Sequence, residues 1–109
     1  MNTSLIKACE RFSEGDSSVA LGFLDNEILW TVVGEKTIQG IDALKDFCAK
    51  ATENGCPDFQ NTQTIVGNEH VAVQGAERKE EGIAYCDVYR VEDGSIVEIT
   101  SYCICPAKQ

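Results

Sequence analysis

Near the end of the chain one carboxylate is set between two phenols. The run Ile83-Ala84-Tyr85-Cys86-Asp87-Val88-Tyr89-Arg90-Val91, then Glu92-Asp93-Gly94-Ser95, then Ile96-Val97-Glu98-Ile99 reads as two antiparallel strands joined at an Asp-Gly turn. Strand residues two apart share a face, so Asp87 lies with Tyr85 and Tyr89. An acid buried among aromatics has its pKa raised by desolvation and can carry or move a proton. Asp87 is therefore the candidate catalytic residue. Two plainer readings stay open. Asp87 accepts hydrogen bonds from Tyr85, Tyr89 or a neighbouring strand and fixes the sheet, or it faces solvent because Ala84, Cys86 and Val88 form the inner line.

Other titratable groups are weaker candidates. Glu98 alternates with Ile96, Thr100 and Tyr102 as a second pocket acid, although a cross-strand pair with Arg90 is the simpler role. His70 follows Gly67-Asn68-Glu69, a turn, and reads as a surface histidine. The six cysteines, Cys9, Cys48, Cys56, Cys86, Cys103 and Cys105, lack Cys-x-x-Cys spacing and a matching histidine set, so no metal site is expected. Cys103 and Cys105 share a strand face, which weakly permits a thiol pair or a soft-metal contact. There is no phosphate-binding glycine loop, dinucleotide fingerprint or Ser-His-Asp order, and no cofactor is expected.

The elements that must position these groups divide the chain in two. Leu5, Ala8, Cys9 and Phe12 recur at helical spacing behind the capping candidates Thr3 and Ser4, and Ser13-Glu14-Gly15 ends that helix. Asp16 or Ser17 caps a short second helix carrying Val19, Ala20, Phe23 and Leu24. Ile28 to Val33 is a strand ending at Gly34. A third helix follows Gly40, with Leu44, Phe47, Cys48 and Ala51 on one face and Asn54-Gly55-Cys56-Pro57 as its stop. From Asp58 onward, turn signals at Gly67-Asn68, Glu80-Glu81-Gly82 and Asp93-Gly94 describe a meander of four antiparallel strands, with Glu77 to Glu81 as a solvated tip. Helices followed by a meander make an α+β pattern, and a sheet that curls around the helices would enclose a pocket.

At 109 residues the chain is one domain, 1–109, able to bury a single core without metals or disulfides. With 43% hydrophobic and 25% charged residues the composition is globular rather than disordered. A formal net charge of −9 argues against nucleic acid or an anionic membrane as partner. No apolar run reaches transmembrane length, and the start lacks a secretory pattern. Cytoplasmic localisation with reduced thiols is the expectation.

The run Phe23-Leu24-Asp25-Asn26-Glu27-Ile28-Leu29-Trp30-Thr31-Val32-Val33-Gly34, followed six residues on by Gly40-Ile41-Asp42-Ala43-Leu44-Lys45-Asp46-Phe47, resembles the signature of nuclear transport factor 2-like domains. Val88 to Ile99 resembles that family's last hairpin. The resemblance covers nearly the whole chain and is closest to the SnoaL-like and ketosteroid isomerase-like branch. It implies a conical fold, a strongly curved and mainly antiparallel sheet wrapped around three helices, with an apolar pocket at the wide end. It also implies a homodimer through the outer sheet face. Trp30 and Phe47 read first as core, since large aromatics dominate small cores, and in the family pattern the Trp30 position borders the cavity, where it would stack on a ligand; Tyr85, Tyr89 and Tyr102 divide between pocket wall and dimer face.

The fold alone does not name an activity. Carried over through Gly34 and Gly40, the ketosteroid isomerase base falls on Thr31 and its oxyanion tyrosine near Ala8, and only the second acid has a counterpart, Asp87. True ketosteroid isomerisation is therefore not expected. A limonene-type epoxide hydrolase needs an arginine on the pocket face, and Arg90 is an odd number of positions from Asp87. A SnoaL-like cyclase asks least: one acid/base group in an apolar pocket. The expectation is an apolar small-molecule binder, with cofactor-independent isomerase or cyclase chemistry through Asp87 and ligand contacts from Trp30, Phe47, Tyr85, Tyr89 and Tyr102. The alternative is a noncatalytic homodimeric binding or scaffold module.

Overall fold

The computed structural model describes residues 1–53, 55 and 57–105. Helix α1 spans Thr3–Ser13, and its cap is Asn2, whose side chain accepts from the Ser4 amide at 2.7 Å. Asn2 thus takes the place expected of Thr3 or Ser4, and the helix starts one residue earlier. Its buried stripe is the expected one, Leu5, Ala8, Cys9 and Phe12. Gly15, at φ 99°, turns the chain away.

The expected second helix shrinks to a single 3₁₀ turn, Ala20–Gly22, so the described residues form two α-helices rather than three. Asp16 does cap locally, accepting from the Ser18 amide and hydroxyl, but only a few residues separate it from the sheet. Such a short segment cannot offset helix nucleation. The sheet claims the next residues instead: the Ile96 amide bonds to Phe23 O at 2.7 Å, and Leu24 opens strand β1, Leu24–Val32.

The stretch between Val33 and Gly40 contains a strand that sequence patterning did not reveal, β2, Lys36–Gln39, paired antiparallel to β1. Gly40, at φ 92°, then opens helix α2, Ile41–Ala51, and donates to Ile28 O at 2.8 Å. Of the expected stop for this helix, Asn54 and Cys56 lie outside the described residues. The meander follows as β3 (Phe59–Val66), β4 (His70–Glu77), β5 (Ala84–Glu92) and β6 (Ser95–Ile104). Asp93 and Gly94, at φ 49° and 78°, are both left-handed, as the tight turn of a hairpin with right-twisted strands requires.

One open six-stranded sheet results, in the order β2-β1-β6-β5-β4-β3. Every neighbouring pair is antiparallel except β1 and β6, which run parallel. Irregularities interrupt the registers of β1/β6, β3/β4 and β5/β6, and such bulges bend and twist a sheet. The architecture is an α+β cone, with α1 against β3 and β4 and α2 against β1 and β2. Leu5, Ala8 and Cys9 of α1, Leu44 of α2, and Ile28, Val71, Val73, Tyr89, Ile96 and Ile99 of the sheet form the core between them. Among the described residues no helix is long and apolar enough to cross a membrane.

Candidate functional site

The inner row of β5 is Tyr85, Asp87, Tyr89 and Val91, all buried, whereas Cys86, Val88 and Arg90 lie on the outer row. The solvent-facing reading of Asp87 is thereby excluded: the residue is only 8% exposed. Across the hairpin Asp87 pairs with Ser101 and Tyr85 with Cys103. On the next strand Trp30 pairs with Ile99, and its indole N–H donates to the Ser101 hydroxyl at 2.8 Å. From above, α1 contributes Phe12 and Ser13, and α2 contributes Phe47 and Cys48. These groups, with Phe59 of β3, enclose a cavity of about 270 Å³.

The aromatic wall has two parts. Trp30 meets Phe12 and Phe47 edge-on, each with ring centres 5.1 Å apart, and Phe59 tilts against Tyr85 at 4.9 Å. Tyr85 is anchored at its far end, donating to Asn61 Oδ1 at 2.8 Å. Gly75, its partner on β4, makes this packing possible, since a Cβ there would fall 2.3 Å from the Tyr85 hydroxyl oxygen. Behind the cavity the Tyr89 hydroxyl lies 2.6 Å from Ser13 Oγ and donates within reach of Cys9 O at 3.0 Å.

Burial pushes the Asp87 carboxyl above its ordinary range, while hydrogen bonding from the Ser101 and Ser13 hydroxyls pulls it back in part. Burial, with the negative charges of Glu14 and Asp87, raises the Tyr85 phenol to about 12. Tyr89 is raised well above 10, chiefly by burial and then by Asp87. The Cys103 thiol at the cavity wall is pushed up by burial and by Asp87, which disfavours the thiolate a nucleophile would need. Asp87 is thus a buried carboxyl held toward its protonated form, among phenols and a thiol that keep their protons.

Of the six residues singled out from sequence, Asp87, Trp30, Phe47 and Tyr85 meet in this cavity. Tyr89 sits one layer deeper, fully buried in the core. Tyr102 does not reach the cavity: it pairs with Cys86 on the outer row and is 48% exposed. The extra residue that β6 carries beside Arg90 and Val91 reverses the faces of β6 beyond it. Glu98 pairs with Arg90, whose Nε donates to Glu98 Oε1, and is no pocket acid. His70 is exposed. Sequence reasoning missed Ser13 and Ser101, the hydroxyls beside the acid, and the wall residues Phe12 and Phe59. The pairing of Ser101 with Asp87 was findable only through the hairpin register.

Chemically, the site offers one buried carboxyl, two hydroxyls and an indole N–H amid apolar walls. On β1 Trp30 and Val32 line the cavity, so Thr31 between them points to the other face and no carboxylate enters from that strand. Arg90 likewise lies outside. Among the described residues no cluster of three or more His, Cys, Asp or Glu is placed to hold a metal.

Comparison with known proteins places this geometry among relatives. Among curated proteins none matches the chain. Among solved structures it is similar to an NTF2-like protein of unknown function from Cytophaga hutchinsonii, with 29% identity, 95% of this chain and 99% of that chain covered, and a TM-score of 0.85. A putative SnoaL-like polyketide cyclase from Jannaschia sp. shares the fold at 12% identity, covering 92% of this chain and 82% of that one, with a TM-score of 0.71. An epoxide hydrolase of M. tuberculosis described as LEH-like does so at 15% identity, over 93% and 77% of the two chains, with a TM-score of 0.66. The sequence profile of the SnoaL-like domain matches residues 5–99, and the chain belongs to that family.

Proposed function

We propose that the domain binds a small, largely apolar molecule in the cavity between the helices and the sheet, and that Asp87 exchanges a proton with it in a cofactor-independent isomerase or cyclase type of reaction. The observation that carries this reading is a buried carboxyl at the wall of an aromatic cavity, flanked by two hydroxyls. Burial moves the acid toward the range in which it both gives and takes a proton. Trp30, Phe47 and Tyr85 shape the ligand space. At about 270 Å³ the cavity lies just under the ~300–1,000 Å³ usual for ligand sites, which favours a compact ligand over a steroid. The relatives described as a polyketide cyclase and an epoxide hydrolase support small-molecule chemistry on this fold without naming this reaction.

The same small cavity favours a second reading, a noncatalytic homodimeric binding or scaffold module. In both readings the protein is a cytoplasmic homodimer joined through the outer sheet face. The exposure of Ile65, Tyr102 and Ile104 supports the dimer, and the absence of a disulfide among the described cysteines is compatible with that compartment. The test is native mass spectrometry for a copurified small molecule, followed by turnover assays on that compound with wild type and Asp87→Asn. Retained binding with lost turnover supports proton exchange. Unchanged turnover rejects it.

A further inference from the structure

The charges around the cavity are one-sided. Asp87 stands at its wall and Glu35 at its rim, and among the described lining residues there is no Lys, Arg or His. Two carboxylates on the lining would oppose an anionic ligand, and the Lys36 ammonium beside them is already seated on the Phe47 ring. What the site can pair is a positive charge. From this asymmetry, and resting on the reading of this cavity as the ligand site, we infer that its ligand class is small organic cations: an ammonium group against Asp87, carried on an apolar or aromatic body.

The hydrogen-bond wiring supports the inference. The Trp30 indole N–H occupies a lone pair of Ser101 Oγ, leaving the serine's own proton free to turn toward Asp87. The Ser101 hydroxyl is thereby placed as a donor to Asp87, an arrangement suited to a carboxylate anion. Hydroxyls alone do not offset burial of that charge, and a buried carboxylate is normally paired. The missing partner is a cation that the lining residues do not supply.

The walls are of matching chemistry. The faces of Trp, Tyr and Phe attract ammonium groups, and desolvated aromatic cages are the usual receptors for them. Within this chain one of the cavity rings already holds such a charge: the Lys36 ammonium lies 4.9 Å from the centre of Phe47.

Cation binding would be linked to pH through the groups that face Asp87. From β5 these are Tyr85 and Tyr89, from β6 Cys103, from α1 Cys9 with Glu14 near Tyr85, from α2 Cys48, from the β1–β2 turn Glu35 and from β2 Lys36 over Phe47; β1 presents only Trp30 and Val32. Burial raises both phenols and all three thiols, so they stay neutral over roughly pH 5 to 8. A cation favours ionised Asp87, so binding releases a proton and tightens as pH rises through the raised value. A neutral hydrogen-bond acceptor, which needs the protonated acid, would show the reverse.

The test uses the full chain and three probes: benzyltrimethylammonium, its uncharged isostere neopentylbenzene, and phenylacetate. Binding is followed by the emission of Trp30 and by calorimetry in two buffers of different ionisation heat. The cation is expected to bind about tenfold more tightly than the isostere, phenylacetate least, with proton release and affinity rising with pH. Asp87→Asn should retain the isostere and lose the preference. Equal or tighter binding of the isostere, or cation affinity that falls with pH, would overturn the cation assignment while leaving the cavity as the ligand site. Silence toward all three probes also overturns it. The broader reading fails only if a wide set of neutral apolar compounds is silent as well. The pH series needs no variant and stands if Asp87→Asn fails to fold.

Discussion

The hydroxyls of Ser13 on α1 and Tyr89 on β5 lie 2.6 Å apart, joining residues 76 positions apart in sequence directly behind the candidate acid. Two constraints meet there. The phenol is wholly buried and must be hydrogen-bonded, and Ser13 also lines the cavity that holds Asp87. The contact therefore ties the packing of the first helix to the protonation of the site.

Tyr89→Phe should cost about 1–2 kcal/mol in urea unfolding, because it removes the phenol from both Ser13 and Cys9 O. Ser13→Ala should cost less, since Tyr89 keeps Cys9 O. The double variant should fall short of the sum by about 0.5 kcal/mol or more. Additive costs would show that the pair is not coupled.

Asp87 sets a pH dependence whose sign follows from its raised pKa. Between the ordinary 3.8 and the higher folded value, the native state binds more protons than the unfolded state. Stability from this group is full below the unfolded value, falls as pH rises through that window and then levels off. Asp87→Asn should flatten this part of the profile and be at least as stable as wild type at neutral pH. Urea midpoints from about pH 4 to about pH 8 measure it. A variant less stable at neutral pH, with the slope unchanged, would make Asp87 a structural hydrogen-bond acceptor instead.

Gly75→Ala should destabilise by about 1–3 kcal/mol through overpacking, because the new Cβ would collide with the Tyr85 ring and with Gln60 O. Displacing Tyr85 would also break its bond to Asn61 and open the cavity wall. Near-UV circular dichroism alongside unfolding checks both effects.

On the outer face, Tyr102→Glu combined with Ile104→Glu should turn the proposed dimer into a monomer at micromolar concentration. Both side chains are exposed in the single chain, so the monomer fold should survive. Sedimentation velocity reads the outcome, and a wild-type protein that sediments as a monomer removes the dimer proposal.

The helical stripe of α1, the α2 face and the four-strand meander were legible because hydrophobic spacing and turn residues report local geometry directly. Less legible were features set by long-range pairing. Lys36–Gln39 carries little strand signal and becomes β2 because β1 offers it an edge. The segment around Ala20 had helical spacing, but the sheet claimed Leu24. Tyr102 shows the difficulty at the site. Counting back from the Asp93-Gly94 turn without a bulge sets it opposite Tyr85. The register shift between Arg90 and Val91 puts Cys103 there and brings Ser101 opposite Asp87. A single bulge thus decides which tyrosine faces solvent and which hydroxyl meets the acid, and no residue type in the hairpin announces it.

Trp30 is the sole tryptophan, and it lines the cavity, so its emission reports occupancy directly. The most direct test of the ligand-site proposal is to titrate a panel of compact cationic and neutral aromatic compounds into the wild-type protein while following that emission. Saturable, one-site quenching or shift by at least one compound, weakened by replacing Asp87, is the predicted result. A folded protein whose Trp30 emission responds to none of them would contradict it and point to a cone filled by its own side chains.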